Sequence, residues 1–314
     1  MGGNILEQRL KFYVNIIQDS GMSILKNPVY FFLTILFDFL FVFIFAMIYS
    51  YIAVFILNKI ISLFQLLGTE TGGLTNILTP EDATKLSVIA NNPEFVELFG
   101  SIMKDVFIMM LAFLICFIIF QVFAWRFSIK AATKNNKLTP IEPEYELTLL
   151  QYWKNFALQS LPFLILTFGW SFFCLRSYIL SKLSPAVLLP APLWKYFLVL
   201  GLIIIWYFGN ISFCFLKRKS FKNFVNSFII GIKKFPQIIP SIIFLGVLAL
   251  VIELVLRIPL LVQSVTGFFI IGVILVFSYL VFARIVIFKT VQLVFPKHKK
   301  PRMRARIKSV KKKS

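Results

Sequence analysis

The chain has 314 residues, 59% hydrophobic and 17% aromatic, with a formal net charge of +20. A soluble domain carries only about 45–50% apolar residues, so this composition excludes an ordinary water-soluble fold and describes an all-helical chain threaded repeatedly through a bilayer. Its single histidine, His298, and its cysteines, Cys116, Cys174 and Cys214, each inside an apolar run, supply neither a His-based catalytic dyad nor a metal centre nor a disulfide framework. No cofactor, metal or catalytic residue is expected.

Residues 1–28 mix Glu7, Arg9, Lys11 and Asp19 with apolar positions and read as a cytoplasmic amphipathic segment, not a cleaved leader. From Val29 to Leu57 the chain is apolar apart from Thr34, Asp38 and Ser50. A span needs roughly 20 such residues to cross a hydrocarbon core of about 30 Å. Hydropathy places six spans at about 29–55, 105–125, 156–177, 194–216, 237–256 and 266–288.

The first hairpin, 29–127, carries an external loop expected to form a helical cap at about 68–104. Thr79-Pro80-Glu81-Asp82 and Asn92-Pro93-Glu94 both read as helix starts, each with a capping side chain, proline at the first helical position and acid in the first turn. The second start predicts a helix running unbroken into the second span.

A second unit covers 128–216, a third 217–289, and a basic tail 290–314. Before spans one, three and five lies a similar amphipathic stretch: Leu10, Tyr13, Val14 and Ile17; then Leu149, Trp153 and Phe156; then Phe221, Phe224, Val225, Phe228 and Ile232. Each carries an asparagine (Asn15, Asn155, Asn226) and leads to a proline (Pro28, Pro162, Pro236 with Pro240). This predicts three tandem units, each an interfacial helix on the cytoplasmic face followed by a transmembrane hairpin.

The basic residues orient the bundle. Of the 33 Lys and Arg, only Lys59, Lys85, Lys104, Arg176, Lys182, Lys195 and Arg257 fall on the side away from the termini. The excess of positive charge marks the other side as cytoplasmic, with both termini there, in a multi-pass protein of the cell membrane.

Two polar groups stand out. Asp38 sits roughly 13 Å below the first span's entrance, near the midplane, where an ionised acid costs about 2.5–3.5 kcal/mol. Its expected partner is Arg284, one turn inside the cytoplasmic end of span six. At the outer side Glu253 and Arg257 stand four residues apart, acid first, and Arg176 is a candidate third member. Gln121, Asn210, Ser212, Gln263, Ser264 and Ser278 dot the spans as interhelical hydrogen-bonding groups. Trp125, Trp153 and Trp194 fall where interfacial aromatic belts belong.

The tail presents Lys297, Lys299, Lys300, Arg302, Arg304, Arg306, Lys308, Lys311, Lys312 and Lys313 without an acid. Anionic lipid headgroups are the expected partner, attracted at about 1 kcal/mol per basic residue. RNA or a ribosome is the competing partner, against which stands the lack of interleaved aromatics for stacking. The functional expectation is a non-enzymatic membrane scaffold or assembly component, with a protein partner in the membrane. The alternative is a small-solute or proton-coupled transporter using Asp38 and Arg284.

Overall fold

The computed structural model describes residues 3–71, 92–134, 147–183, 191–216, 222–261 and 264–294. These form eight helices and no strand: α1 (Gly3–Lys26), α2 (Pro28–Thr71), α3 (Pro93–Thr133), α4 (Leu149–Leu183), α5 (Ala191–Phe213), α6 (Lys222–Lys233), α7 (Phe235–Leu261) and α8 (Val265–Val294). Six of them, α2, α3, α4, α5, α7 and α8, are long and apolar enough to cross a membrane. The chain is a polytopic all-helical protein of the multi-pass type.

Local chemistry sets the boundaries. Asn27 leaves the helical path ahead of Pro28, whose ring disfavours helix in the preceding residue, and its carbonyl takes the first hydrogen bond of α2 from Phe31. The Asn92 side chain accepts from the Glu94 N–H at 2.9 Å, and Pro93 opens α3, which then runs unbroken to Thr133. Thr148 Oγ1 accepts from the Gln151 N–H at the head of α4, and Ser264 Oγ from the Gly267 N–H at the head of α8. The helix start at Thr79–Asp82 lies outside the described residues, as do residues 295–314; residues 290–294, expected to open the basic tail, are instead the last turn of α8, since they carry no basic residue and continue its apolar run.

The second amphipathic stretch differs from expectation: residues 149–156 are the opening turns of the continuous α4, with Pro162 inside that helix. No glycine or proline interrupts the chain between Leu149 and Leu161, so nothing breaks the backbone ladder there.

The spans pair as three antiparallel hairpins, α2 with α3, α4 with α5, and α7 with α8. Helices α3 and α8 are central: α3 packs on α1, α2, α4 and α8, while α8 packs on α1, α2, α3, α5 and α7. The core sits at one end of the bundle. Its fully buried members come from the last turns of α3 (Val122, Ala131, Ala132) and α8 (Val281, Ile285, Val286), the first turns of α4 (Phe156), the exit of α5 (Ile211, Leu216) and the first half of α7 (Ile238, Leu245). Toward the other end the surfaces turn outward, as on α7, where Ile243, Val247, Leu250, Leu254 and Ile258 form an exposed stripe. A stripe of that composition belongs against acyl chains.

The first hairpin is the longest. From Asp38 to Thr71 lies roughly 50 Å of helix, against roughly 29 Å from Arg284 to Val265 on the helix beside it. Lys59 and Asp105 bridge α2 and α3 at 2.5 Å in the projecting part.

Where α6 crosses α5, a Cβ at Gly231 would stand 2.5 Å from Phe208 Cε1 and 2.9 Å from Cδ1, while Tyr207 donates its hydroxyl to the Gly231 carbonyl at 2.8 Å. Gly231→Leu should destabilise by about 1–3 kcal/mol through overpacking. Gly246→Ala, in open space on α7, should be neutral or stabilising by up to about 1 kcal/mol. Thermal unfolding in detergent measures both; equal effects would contradict the close crossing.

Candidate functional site

Asp38 faces inward from α2, one turn beyond the fully buried Thr34, and meets α3 and α8 where all three helices converge. Asp38, Gln121 and Arg284 are 1%, 6% and 9% exposed. Arg284 forks onto the carboxylate, Nη1 to Oδ2 at 2.5 Å and Nη2 to Oδ1 at 2.7 Å. Its Nη2 also donates to Gln121 Oε1 at 2.7 Å, and Gln121 Nε2 donates to Asp38 Oδ1 at 2.9 Å. The amide closes a three-membered ring, one residue from each helix. The Trp125 ring faces the guanidinium, whose carbon lies 5.8 Å from its centroid.

The electrostatics follow from this geometry. An isolated charge near the middle of a bilayer is costly, but a bidentate carboxylate–guanidinium pair is neutral overall and its hydrogen bonds are charge-assisted. Gln121 lies between them as both donor and acceptor, so its own buried amide is satisfied by the pair it braces. Val122 and Val281, both 0% exposed, belong to the core around it. Chemically the arrangement is a lock joining three helices, with the acid and base committed to each other.

Trp125 differs from its expected place in an aromatic belt: it is 3% exposed and packs between Arg284 and Phe213. The cation on one face of the indole explains why the ring is drawn inward. Trp153 is partly exposed near the start of α4.

A second buried ion sits toward the termini. Lys289 of α8 is fully enclosed, and its ammonium donates to the Asp19 carboxylate at 2.5 Å, the Asp19 carbonyl at 2.8 Å and Ser23 Oγ at 2.7 Å. These three bonds fasten α1 to α8. Asn27 fastens it to α3, its Nδ2 lying 3.2 Å from the carbonyls of both Ala131 and Lys134. Asn155 of α4 donates to the Leu216 carbonyl at 3.1 Å, tying the start of that helix to the exit of α5. Asn15 and Asn226 are exposed, so the repeated asparagines do not play one common role. Gln292 Nε2 and the Cys214 carbonyl join α8 to the exit of α5 at 3.2 Å.

Of the residues expected on the outer side, Glu253 and Arg257 pair along α7 at 2.6 Å, both well exposed. Arg176 is exposed on α4, a helix that packs chiefly on α3 and α5, not on α7. Ser212 donates to Gln159 Oε1 at 3.2 Å between α5 and α4, whereas Asn210 returns to the Trp206 carbonyl of its own helix. Gln263 lies outside the described residues, together with Lys297, Lys299, Lys300, Arg302, Arg304, Arg306, Lys308, Lys311, Lys312 and Lys313. Among the described residues no three His, Cys, Asp or Glu side chains gather closely enough to hold a metal ion.

Sequence reasoning finds Gln121 only as one of several scattered amides, and Asp19 and Lys289 only as charges. The signal that could select Gln121 is depth: it lies roughly as far from the end of its span as Asp38 and Arg284 do from theirs. Compared with known protein families, curated proteins and solved structures, the chain matches none.

Proposed function

We propose that this is a structural membrane component, a scaffold or assembly factor of the cell membrane that works through a basic cytoplasmic face and the lipid around it. Both termini belong to that face. The helix α1, the opening turns of α4 and the helix α6 are its three interfacial elements, each leading one of three tandem units.

The observation that carries this reading is a shared order of faces on those elements. On α1 the bundle side is Ile16, Ser20, Ser23 and Asn27; about a third to a half of a turn further round lie exposed Leu10, Val14 and Leu25; beyond them, near two thirds, lie Lys11, Gln18, Asn15 and Lys26. On α6 the same circuit meets buried Ser227 and Gly231, then exposed Val225, Ile229 and Ile232, then Asn226 and Lys233. On α4 it meets Tyr152 and Phe156, then Leu149, Leu150 and Trp153, then Lys154 and Gln151. Met22, an exposed apolar residue on the polar third of α1, and Glu7, an exposed acid on its apolar third, depart from this order.

A helix docked on a protein wall with apolar and polar flanks on either side is suited to the plane where hydrocarbon meets water. On α1 and α6, which are separate helices ahead of α2 and α7, the common order fits helices running round the bundle in one sense, as parallel repeats would; the opening turns of α4 share the order but continue straight into their span. The bound state of Asp38 favours a scaffold over the transport alternative, because a carboxylate held by Arg284 and Gln121 is not presented to a passing solute.

The test places the full chain in phosphatidylcholine nanodiscs and measures its capture of phosphatidylglycerol vesicles. Removing residues 295–314 should reduce capture at least tenfold, given about 1 kcal/mol per basic residue near the surface. Unchanged capture would overturn the lipid-based reading, as would preferential retention of RNA by the same tail. Solute flux in proteoliposomes that Asp38→Asn abolishes would establish the transporter instead.

A further inference from the structure

We propose that the surface along the seam between the first turns of α2 and the last turns of α3 binds an anionic phospholipid, its phosphate held between Lys130 and Lys134 and its acyl chain lying on the partly buried aromatic rings beneath. This deepens the lipid-directed reading above and takes its membrane setting from it.

The cationic half of the site is two lysines over one ring. The Lys130 and Lys134 ammonium nitrogens lie 5.9 Å and 5.3 Å from the centroid of Tyr30. They stand four residues apart on one face of α3, a spacing at which like charges repel by a few tenths of a kcal/mol. The helix C-terminus and the tyrosine face each attract cations, which accounts for their being drawn there but leaves two positive charges with no carboxylate partner among the described residues.

Among the described residues the ion-paired acids are Glu7 with Lys11, Asp19 with Lys289, Asp38 with Arg284, Asp105 with Lys59 and Glu253 with Arg257, none of them on these lysines. The carbonyls of Ala131 and Lys134 at the same helix end are already engaged by Asn27. The pair is thus set to take an anion from its surroundings.

The apolar half continues directly from it. Tyr30 stacks on Phe127 at 6.1 Å, Phe127 on Phe37 at 5.8 Å and Phe37 on Phe123 at 4.7 Å. All four rings are only partly buried. The series runs roughly 16 Å along α3 from Lys134 to Phe123, from the end of the span into its interior. A charged mouth over an apolar ladder at membrane depth matches an amphiphile with a phosphate at one end. RNA offers the phosphate without the chain, and its bases have no access to rings that run inward along a span.

Binding is tested on the full-length protein in a neutral detergent, counting retained lipid by native mass spectrometry during titration with phosphatidylglycerol. Lys130→Gln with Lys134→Gln should weaken retention about thirtyfold, near 1 kcal/mol for each lysine. Lys130→Arg with Lys134→Arg should hold it within about threefold. Lys154→Gln with Lys233→Gln removes the same charge from the same end, on the basic face but away from the site, and should weaken retention by no more than about threefold. Phe127→Ser should weaken phosphatidylglycerol while leaving inorganic phosphate binding unchanged.

Equal losses in the two glutamine pairs would overturn the site and leave the general attraction to anionic lipid standing, as would a loss confined to chains lacking residues 295–314. Phosphatidylcholine retained as well as phosphatidylglycerol in every variant would overturn both. Displacement of the lipid by inorganic phosphate or by a short RNA at equal concentration would also overturn the site.

Discussion

Asp38→Ala is expected to destabilise the protein by about 3–5 kcal/mol, read as a fall of roughly 10 °C in the unfolding midpoint in detergent. The substitution removes both acceptors of the Arg284 fork and leaves the guanidinium 9% exposed with Gln121 Oε1 and the Trp125 face as its remaining partners. An arginine stays charged in any such setting, so the cost cannot be relieved locally. Asp38→Asn should fall between, since one side-chain oxygen still accepts a hydrogen bond. The decisive variant is the double one: Asp38→Leu with Arg284→Met removes both charges and should recover most of the loss, because a well-packed apolar pair commonly matches a buried ion pair in stability. Gln121 would then have an unsatisfied amide, so Gln121→Leu added to the pair should recover more. Additive losses across the cycle would show that the three residues do not act as one unit.

How far such a unit can be read ahead of the structure depends on what the sequence makes rare. Acids at membrane depth are rare, so Asp38 stands out from its apolar neighbours, and Arg284 stands out by the same reasoning on the last span. The six spans and the start at Asn92-Pro93-Glu94 are equally legible, because apolar length and capping chemistry are local properties. Gln121 is not rare in that sense: amides recur along the spans, and only the meeting of α2, α3 and α8 selects this one. Trp125 illustrates a different gap. A tryptophan two turns from a helix end suits an interfacial belt or a core equally well by position, and which it joins is decided by what stands on its neighbouring helix, here Arg284. The continuous α4 is hidden for a third reason. Amphipathic character marks where a helix turns its faces, not where its backbone breaks, and Pro162 lies too far along to start the span afresh.

The second large effect concerns the other buried ion and depends on which partner is removed. Lys289 is 1% exposed at its side chain, whereas Asp19 is 28% exposed. Asp19→Ala therefore leaves a buried ammonium with only the backbone carbonyl of residue 19 and Ser23 Oγ for company, and should cost about 3–5 kcal/mol. Lys289→Met leaves instead a carboxylate that water can reach, and should cost about 1–3 kcal/mol, in line with loss of hydrogen bonds to a charged group. Both losses should appear first as release of α1, since those bonds join α1 to α8. Hydrogen exchange would show faster opening of α1 while the α2, α3 and α8 junction at Asp38 stays protected. The reverse order of cost, with Lys289→Met the more damaging, would mean that the ammonium is not the buried member of the pair and that α1 is held by Asn27 and its apolar contacts alone.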